Sequence, residues 1–274
     1  MLGNAVLRYF ADSGRYDAVG SVRSNSSVLL LPEHLRSQLV VLSDADDPDQ
    51  LIRLMGQVKP DVVINCIGLV KQLGDAKNPL SAIPINAVLP HRLAQCCALV
   101  GARLVHLSTD CVFSGRKGMY VEGDTPDADD VYGRTKLLGE VDYPEAVTLR
   151  TSIIGHELAG HRSLIDWFLS QDGSVKGFAQ AIFSGLPTVE IASVIDRYVL
   201  PDKGMHGLYH LSAAPIDKAS LLRLVADTYG KRIVIKDDDS LKIDRSLNSA
   251  RFRTRTGYQP APWPALIKQM HDYR

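Results

Sequence analysis

The run Asp61–Val62–Val63–Ile64–Asn65, entered through the turn-forming pair Lys59–Pro60, constrains this chain more than any other stretch. Consecutive β-branched apolar residues leave neither face of a strand polar, so the run predicts a strand covered on both sides. Its neighbours repeat the pattern. Leu39–Leu42 and Arg103–Ser108 are similarly apolar, and helical spacing separates them at Pro48–Val58, where Pro48 suits a first turn, and at Ile85–Val100. A further helix reads across residues 4–12, with Ala5, Leu7 and Phe10 on one face and Gly14 as its stop, before a short strand at Asp17–Val22. Doubly covered strands alternating with helices predict an α/β fold, a mostly parallel sheet sandwiched between helices.

The chain has 274 residues, enough for one large α/β domain or for a domain with a smaller appendage. Its 31 basic and 31 acidic residues balance, which argues against nucleic acid as a partner. No apolar run approaches the roughly 20 residues of a membrane span, and the start carries no signal-peptide pattern. Cys66, Cys96, Cys97 and Cys111 lack metal-ligand spacing and read as buried small residues of a reducing compartment, so a cytoplasmic protein with no metal is expected. His206 and His210, in HGLYH, read as packing residues rather than ligands.

Parallel sheets bind their ligands beyond the carboxyl ends of the strands. Those ends carry Ser21–Ser24, Ser43–Asp44, Asn65–Gly68 and Ser108–Asp110, small or polar groups suited to a cleft, although each is also ordinary turn chemistry. Farther on, VYGRTKLLGE (131–140) reads as helix and sets Tyr132 and Lys136 on one face. A nearby ammonium stabilises a phenolate, so the pair is a plausible acid/base device; alone, it equally describes a solvated helix face.

Several stretches together carry a resemblance. KPDVVINCIG (59–68), Asn86–Ala87, LVHLSTDCVFSG (104–115), VYGRTKLLGE, LRTSIIG (149–155), FSGLPTVEIASVI (183–195), GLYHLS (207–212) and TGYQPAPW (256–263) resemble, in order, the extended short-chain dehydrogenase/reductases of the dTDP-4-dehydrorhamnose reductase branch. The resemblance implies a Rossmann-type doubly wound parallel sheet in residues 1–155, holding NADPH or NADH. It also implies a small C-terminal substrate-binding lobe in residues 156–274, with elements returning to the first domain. The implied reaction is reduction of the 4-keto group of a nucleotide-linked 6-deoxysugar, in a protein that could pair as a homodimer. An epimerase or dehydratase of the same superfamily, or a non-catalytic regulatory subunit, are the alternatives.

By this resemblance Tyr132 gives a proton to the substrate carbonyl oxygen, Lys136 lowers the phenol pKa and holds the ribose, Thr109 bonds the same oxygen, and Asp110 assists or caps a turn. Asn65 is expected to organise its strand end, and Cys111 to pack. Gly3, Arg23, Ser24, Asp44, Cys66, Ile67 and Gly68 are expected along the coenzyme, and Asn86, Phe183 and Ser184 along the substrate. Arg23, with no acid in Gly20–Ser24, favours a 2′-phosphate and hence NADPH. Family members open with an apolar strand and Gly-x-x-Gly-x-x-Gly, whereas Met1–Leu2–Gly3 resembles only the tail of that motif. The expectation is a first strand absent from this start, through an internal Met taken as the start, a truncation or a variant front. Cys111, where dehydratases carry an acid, argues against dehydration.

Overall fold

The computed structural model describes residues 1–70 and 74–274. In chain order come β1 (Gly20–Val22), β2 (Leu39–Val41), β3 (Val62–Asn65), β4 (Arg103–Thr109) and β5 (Ala146–Thr151). The strand Gly207–His210, then β5, β4 and β3, lie side by side in one all-parallel sheet. β4 and β5 are buried along their whole lengths. On one face Val105 and Leu107 join Val147, Leu149, Val6 and Phe10 in the large core; on the other, Leu104 meets Leu51, Met55, Leu89 and Leu93. This two-sided cover is what near-continuous apolar strands require.

β1 and β2 pair in parallel as a separate two-stranded sheet, and among the described residues no strand pairs with the second edge of β3. The helix α1 (Leu2–Asp12) spans both units. Its Leu7 packs with Leu31 and Leu35 near Val22 and Leu39, while Leu2, Val6 and Phe10 face the large core. Beyond α1, the buried Asp196 carboxylate accepts hydrogen bonds from the Tyr9 and Tyr16 hydroxyls, at 3.0 and 2.5 Å, and pairs with Arg15.

Local chemistry explains the helix boundaries. Asp47 accepts the backbone N–H groups of Asp49 and Gln50, Pro48 opens the first turn, and Lys59 closes the helix Pro48–Val58 in the left-handed region at φ 48°. The helix expected over Ile85–Val100 begins earlier and in pieces: an α-turn at Pro79–Ala82, a π-helical stretch at Ile83–Val88, then the helix Leu89–Val100. Pro90 has no N–H to offer the Asn86 carbonyl, which is one reason the winding changes there.

In the C-terminal part, Ser174–Phe178 pairs in parallel with Val234–Asp238, and Ala181–Phe183 lies between Ile216–Asp217 and Ile243–Asp244. The helix Lys218–Tyr229 starts on the Asp217 cap and ends at Gly230, as its sequence signals predict. Within the acidic triplet Asp237–Asp239, whose composition suggests a solvated loop, Asp237 and Asp238 instead end a strand, their charges paired with Arg223 and Lys176. No helix among the described residues is long and apolar enough to cross a membrane.

Gly139, just past the helix Val131–Leu138, rests on the backbone of the π-helical stretch, and a Cβ there would collide with the Asn86 carbonyl oxygen. Gly139→Ala is therefore expected to destabilise the chain by about 1–3 kcal/mol, since backbone yields less readily than a side chain. An unshifted midpoint in chemical denaturation would contradict this contact.

Candidate active site

β4 delivers Thr109 to the carboxyl end of the sheet, where the chain turns through Asp110–Val112. The Thr109 hydroxyl oxygen accepts the Cys111 N–H at 3.1 Å and so caps this turn. Opposite, the helix Val131–Leu138 starts on Asp130, whose carboxylate accepts the Gly133 N–H at 2.7 Å. Gly133 has no Cβ, which would strike the Cys111 carbonyl, so the helix can press against the turn. That contact brings the Tyr132 hydroxyl to the Thr109 side chain.

Lys136 follows one turn later and is buried at 5% exposure. Its Nζ donates to the Leu107 carbonyl at 2.8 Å, two residues before Thr109. Burial pulls the ammonium down to about 8, with Glu140 and Cys66 opposing the shift. The phenol is moved the other way. Burial raises it, the thiol of Cys111 and the carboxylates of Asp110 and Asp130 add to the rise, and Thr109 counters it. Desolvation is the largest influence on the phenol here, where the Lys136 ammonium is turned to the Leu107 carbonyl. A phenol raised in this way stays protonated near neutral pH. Asp110 is buried beside it, its carboxyl raised by burial against the pull of Arg245 and of hydrogen bonds from Cys111, Thr109 and Ser152.

The β3 end approaches the same place. Asn65 accepts the Ile67 N–H at 3.0 Å and its amide meets His106 Nδ1 at 3.1 Å, which makes it the organiser of the strand end. Gly68 sits so that a Cβ would lie 3.4 Å from Asn86 Oδ1 and 3.9 Å from Lys136 Nζ. Asn86 is fully buried, accepting the Leu69 N–H at 2.9 Å and reaching Thr135 at 3.4 Å, so it clamps the loop after β3 rather than standing free for a substrate. Gly3 comes alongside Cys66, whose thiol burial pushes up to about 12.

Other expected residues lie elsewhere. Arg23 is exposed past the end of β1, Ser24 caps the short helix Asn25–Val28, and Asp44 accepts the Asp46 N–H in a local turn; all three belong to the separate two-stranded unit. Phe183 is buried against Trp263, and the buried Ser184 hydroxyl accepts the Leu247 N–H at 2.9 Å. Both are placed as framework, not on an open face. Among the described residues no group of His, Cys, Asp and Glu could hold a metal ion.

Sequence reasoning passed over one cluster. Glu140 Oε1 accepts hydrogen bonds from Ser108 Oγ at 2.6 Å and Arg150 Nε at 2.7 Å, while Oε2 accepts from Arg150 Nη2 at 2.6 Å. Its signal was available, since Glu140 closes VYGRTKLLGE and Arg150 stands in LRTSIIG.

The charge on Lys136 carries a stability consequence with a definite sign. Its folded value of about 8 lies below the 10.5 of an unperturbed lysine, so the buried charge destabilises the fold below pH 8, and the cost fades as pH rises towards 10.5. Lys136→Met is expected to raise stability at pH 7 by about 2–3 kcal/mol, a gain that shrinks above pH 8. Denaturant melts of both chains at pH 7 and pH 10 measure it; an equal difference at the two pH values would contradict the assignment.

Residues 1–270 match the family model described as RmlD substrate binding domain. The chain is 29% identical over 224 residues to the probable low-salt glycan biosynthesis reductase Agl14 of Haloferax volcanii, covering 78% of this chain and 71% of that protein. It is 40% identical over 118 residues to the dTDP-4-dehydrorhamnose reductase of Mycobacterium tuberculosis, covering 40% of this chain but only 38% of that one. The crystal structure of dTDP-4-dehydrorhamnose reductase from Bacillus anthracis in complex with NADP superposes with a TM-score of 0.74 at 20% identity, covering 85% of this chain and 89% of that one, a likeness of fold. The family match takes in all but the last four residues, and the chain therefore belongs to the RmlD substrate binding domain family.

Proposed function

We propose that the protein is an NAD(P)H-dependent reductase of the 4-keto group of a nucleotide-linked 6-deoxysugar, with Tyr132 as the proton donor. The observation that carries the reading is the meeting of the Tyr132 hydroxyl with the Thr109 side chain, beside the buried Lys136 ammonium. Reduction of a ketone makes an alkoxide that must be protonated as it forms, and a protonated phenol beside the carbonyl oxygen can supply that proton. The Thr109 hydroxyl fixes the carbonyl oxygen, and Lys136 bonds the ribose of the coenzyme.

The residues present fit a dinucleotide. The N-terminus of α1 has no capping side chain and no acid in its first turn, and Gly3 lies beside Cys66 at the end of β3, an arrangement that suits a pyrophosphate. When bound, the nicotinamide supplies the hydride. In this reading residues 1–155 hold the coenzyme through Gly3, Cys66, Ile67 and Gly68, with Arg23, Ser24 and Asp44 reaching its adenosine end, and residues 156–274 contribute mainly to substrate binding. A cleft of about 680 Å³ between Ser114–Arg116 and the stretch Leu241–Asp244 brings Arg116 and Lys242 to its lining, cations suited to the substrate diphosphate. Dehydration is the weaker reading, because Cys111 stands where a second acid would be needed and its carbonyl faces Gly133.

Two substitutions test the assignment. Tyr132→Phe is expected to lower kcat by about 10²–10⁴-fold with coenzyme affinity unchanged, as loss of a general acid should. Near-normal turnover of a keto-sugar nucleotide by that variant would remove Tyr132 from the chemistry. Arg23→Ala is expected to weaken NADPH by roughly tenfold or more and NADH little, because a charge-assisted bond to the 2′-phosphate is lost. Equal losses for the two coenzymes in calorimetric titration would overturn the preference.

A further inference from the structure

Thr109 and Tyr132 reach the site on different elements, so something must set one against the other. We propose that the buried Glu140–Arg150 ion pair is a positioning device for the reductase chemistry. It locks the Ser108–Thr109 strand end, the Tyr132 helix and the loop after Thr109 into one register. The inference rests on the reductase reading and deepens it.

The geometry of the pair supports this. Glu140 lies four residues beyond Lys136, and Arg150 lies on β5, the neighbour of β4. The Arg150 side chain is 3% exposed and that of Glu140 11%. Two parallel bonds from the guanidinium fork use both carboxylate oxygens, and Glu140 also takes the Ser108 hydroxyl, on the residue immediately before Thr109. The guanidinium carbon lies over the Phe113 ring, 5.2 Å from its centre and four residues after Thr109, and Phe113 stacks on Tyr120 at 4.1 Å. Thr109 is therefore held from both sides by one group. Neither member of the pair bonds Tyr132 or Lys136 in the hydrogen-bond network, so both act through the backbone that carries them.

His210 completes the clamp. Arg150 can only donate, so His210 Nε2, 3.3 Å from Nη1, is the acceptor. Nδ1 then carries the proton and donates it to the Tyr120 carbonyl at 3.0 Å. The imidazole stays neutral, its pKa pulled to about 4 by burial and by Arg150, with Asp124 opposing. Its backbone N–H is taken by Glu122 at 2.8 Å. The charged and titratable groups about the pair are thus Lys136 on the Tyr132 helix, His210 on its strand, and Glu122 and Asp124 on the loop. None of them competes for the carboxylate.

A pair that only stabilised the fold would change the amount of folded protein. A positioning pair changes the rate of each folded molecule. Glu140→Gln keeps the shape and removes the charge; Arg150→Lys keeps the charge and removes the fork. In the full chain, with melting curves fixing the folded fraction, both variants are expected to lose about 10–100-fold in kcat per folded molecule, with KM and coenzyme Kd within about twofold. Unchanged kcat per folded molecule, or a parallel loss in kcat, KM and Kd, would overturn the proposal. Crystal structures of the parent and Glu140→Gln chains provide a readout without turnover: the Thr109 hydroxyl and Tyr132 phenol should separate in the variant, and an unaltered pair of positions would also overturn it. If the parent chain reduces no keto-sugar nucleotide, the reductase reading fails on its own, and the crystallographic comparison still decides the role of the pair.

Discussion

The parallel ladder that β4 makes with β3 and β5 is the constraint from which the rest of the molecule follows. A strand buried on both faces has no solvent for its backbone groups, so both edges must be bonded and both faces covered at once. Meeting that demand fixes where the helix Leu89–Val100 and the core on the α1 side must lie. It also fixes the height at which Thr109 emerges, because register in a buried parallel sheet cannot slip without turning apolar side chains to the wrong face. The candidate chemistry is placed at a strand end by the same forces that make the core.

The buried charges mark where this scaffold accepts a cost. Among the described residues Lys136 is desolvated with only a backbone carbonyl for its hydrogen bond, whereas Arg150 and Glu140 are desolvated together and satisfy one another. A matched buried pair is close to neutral in stability, while removal of one partner leaves a charge stranded at about 3–5 kcal/mol. The contrast separates two uses of a buried cation. Lys136 is held near its titration point, and Arg150 is held as a fixed structural joint.

Much of the fold was legible because local signals and tertiary need agreed. Asp47, Pro48 and Lys59 bound one helix, Asp217 and Gly230 another, and both form where the sequence places them. Agreement ended where a partner distant in sequence decided the outcome. Asp237 and Asp238 look like loop residues until Ser174–Phe178 lies alongside and Arg223 and Lys176 neutralise them. The π-helical stretch around Asn86 was hidden for a similar reason, since Gly139 packs on the Asn86 carbonyl, which Pro90 cannot bond. At the candidate site, the spacing of Tyr132 and Lys136 put both on one helix face, and the family resemblance added Thr109. The direction of the Tyr132 pKa could not be read in this way, because spacing reveals neighbours and does not reveal desolvation.

The separation of the β1–β2 pair from the four-stranded sheet has a consequence for how the molecule comes apart. Residues 13–41, which carry β1 and β2, are fastened chiefly by Leu31 and Leu35 against Leu7, by Tyr16 on Phe10, and by the Arg15 and Tyr16 contacts to Asp196. The four-stranded unit has the larger core and a continuous ladder. A segment with so few buried side chains reaches an open state at a smaller free energy than the ladder does, and it can do so while the ladder remains closed. Amide protons in β1 and β2 then exchange through a partial opening, those of β4 and β5 only through global unfolding. Such a chain has a hierarchy of stabilities, and its least protected tier is the one that bears Arg23.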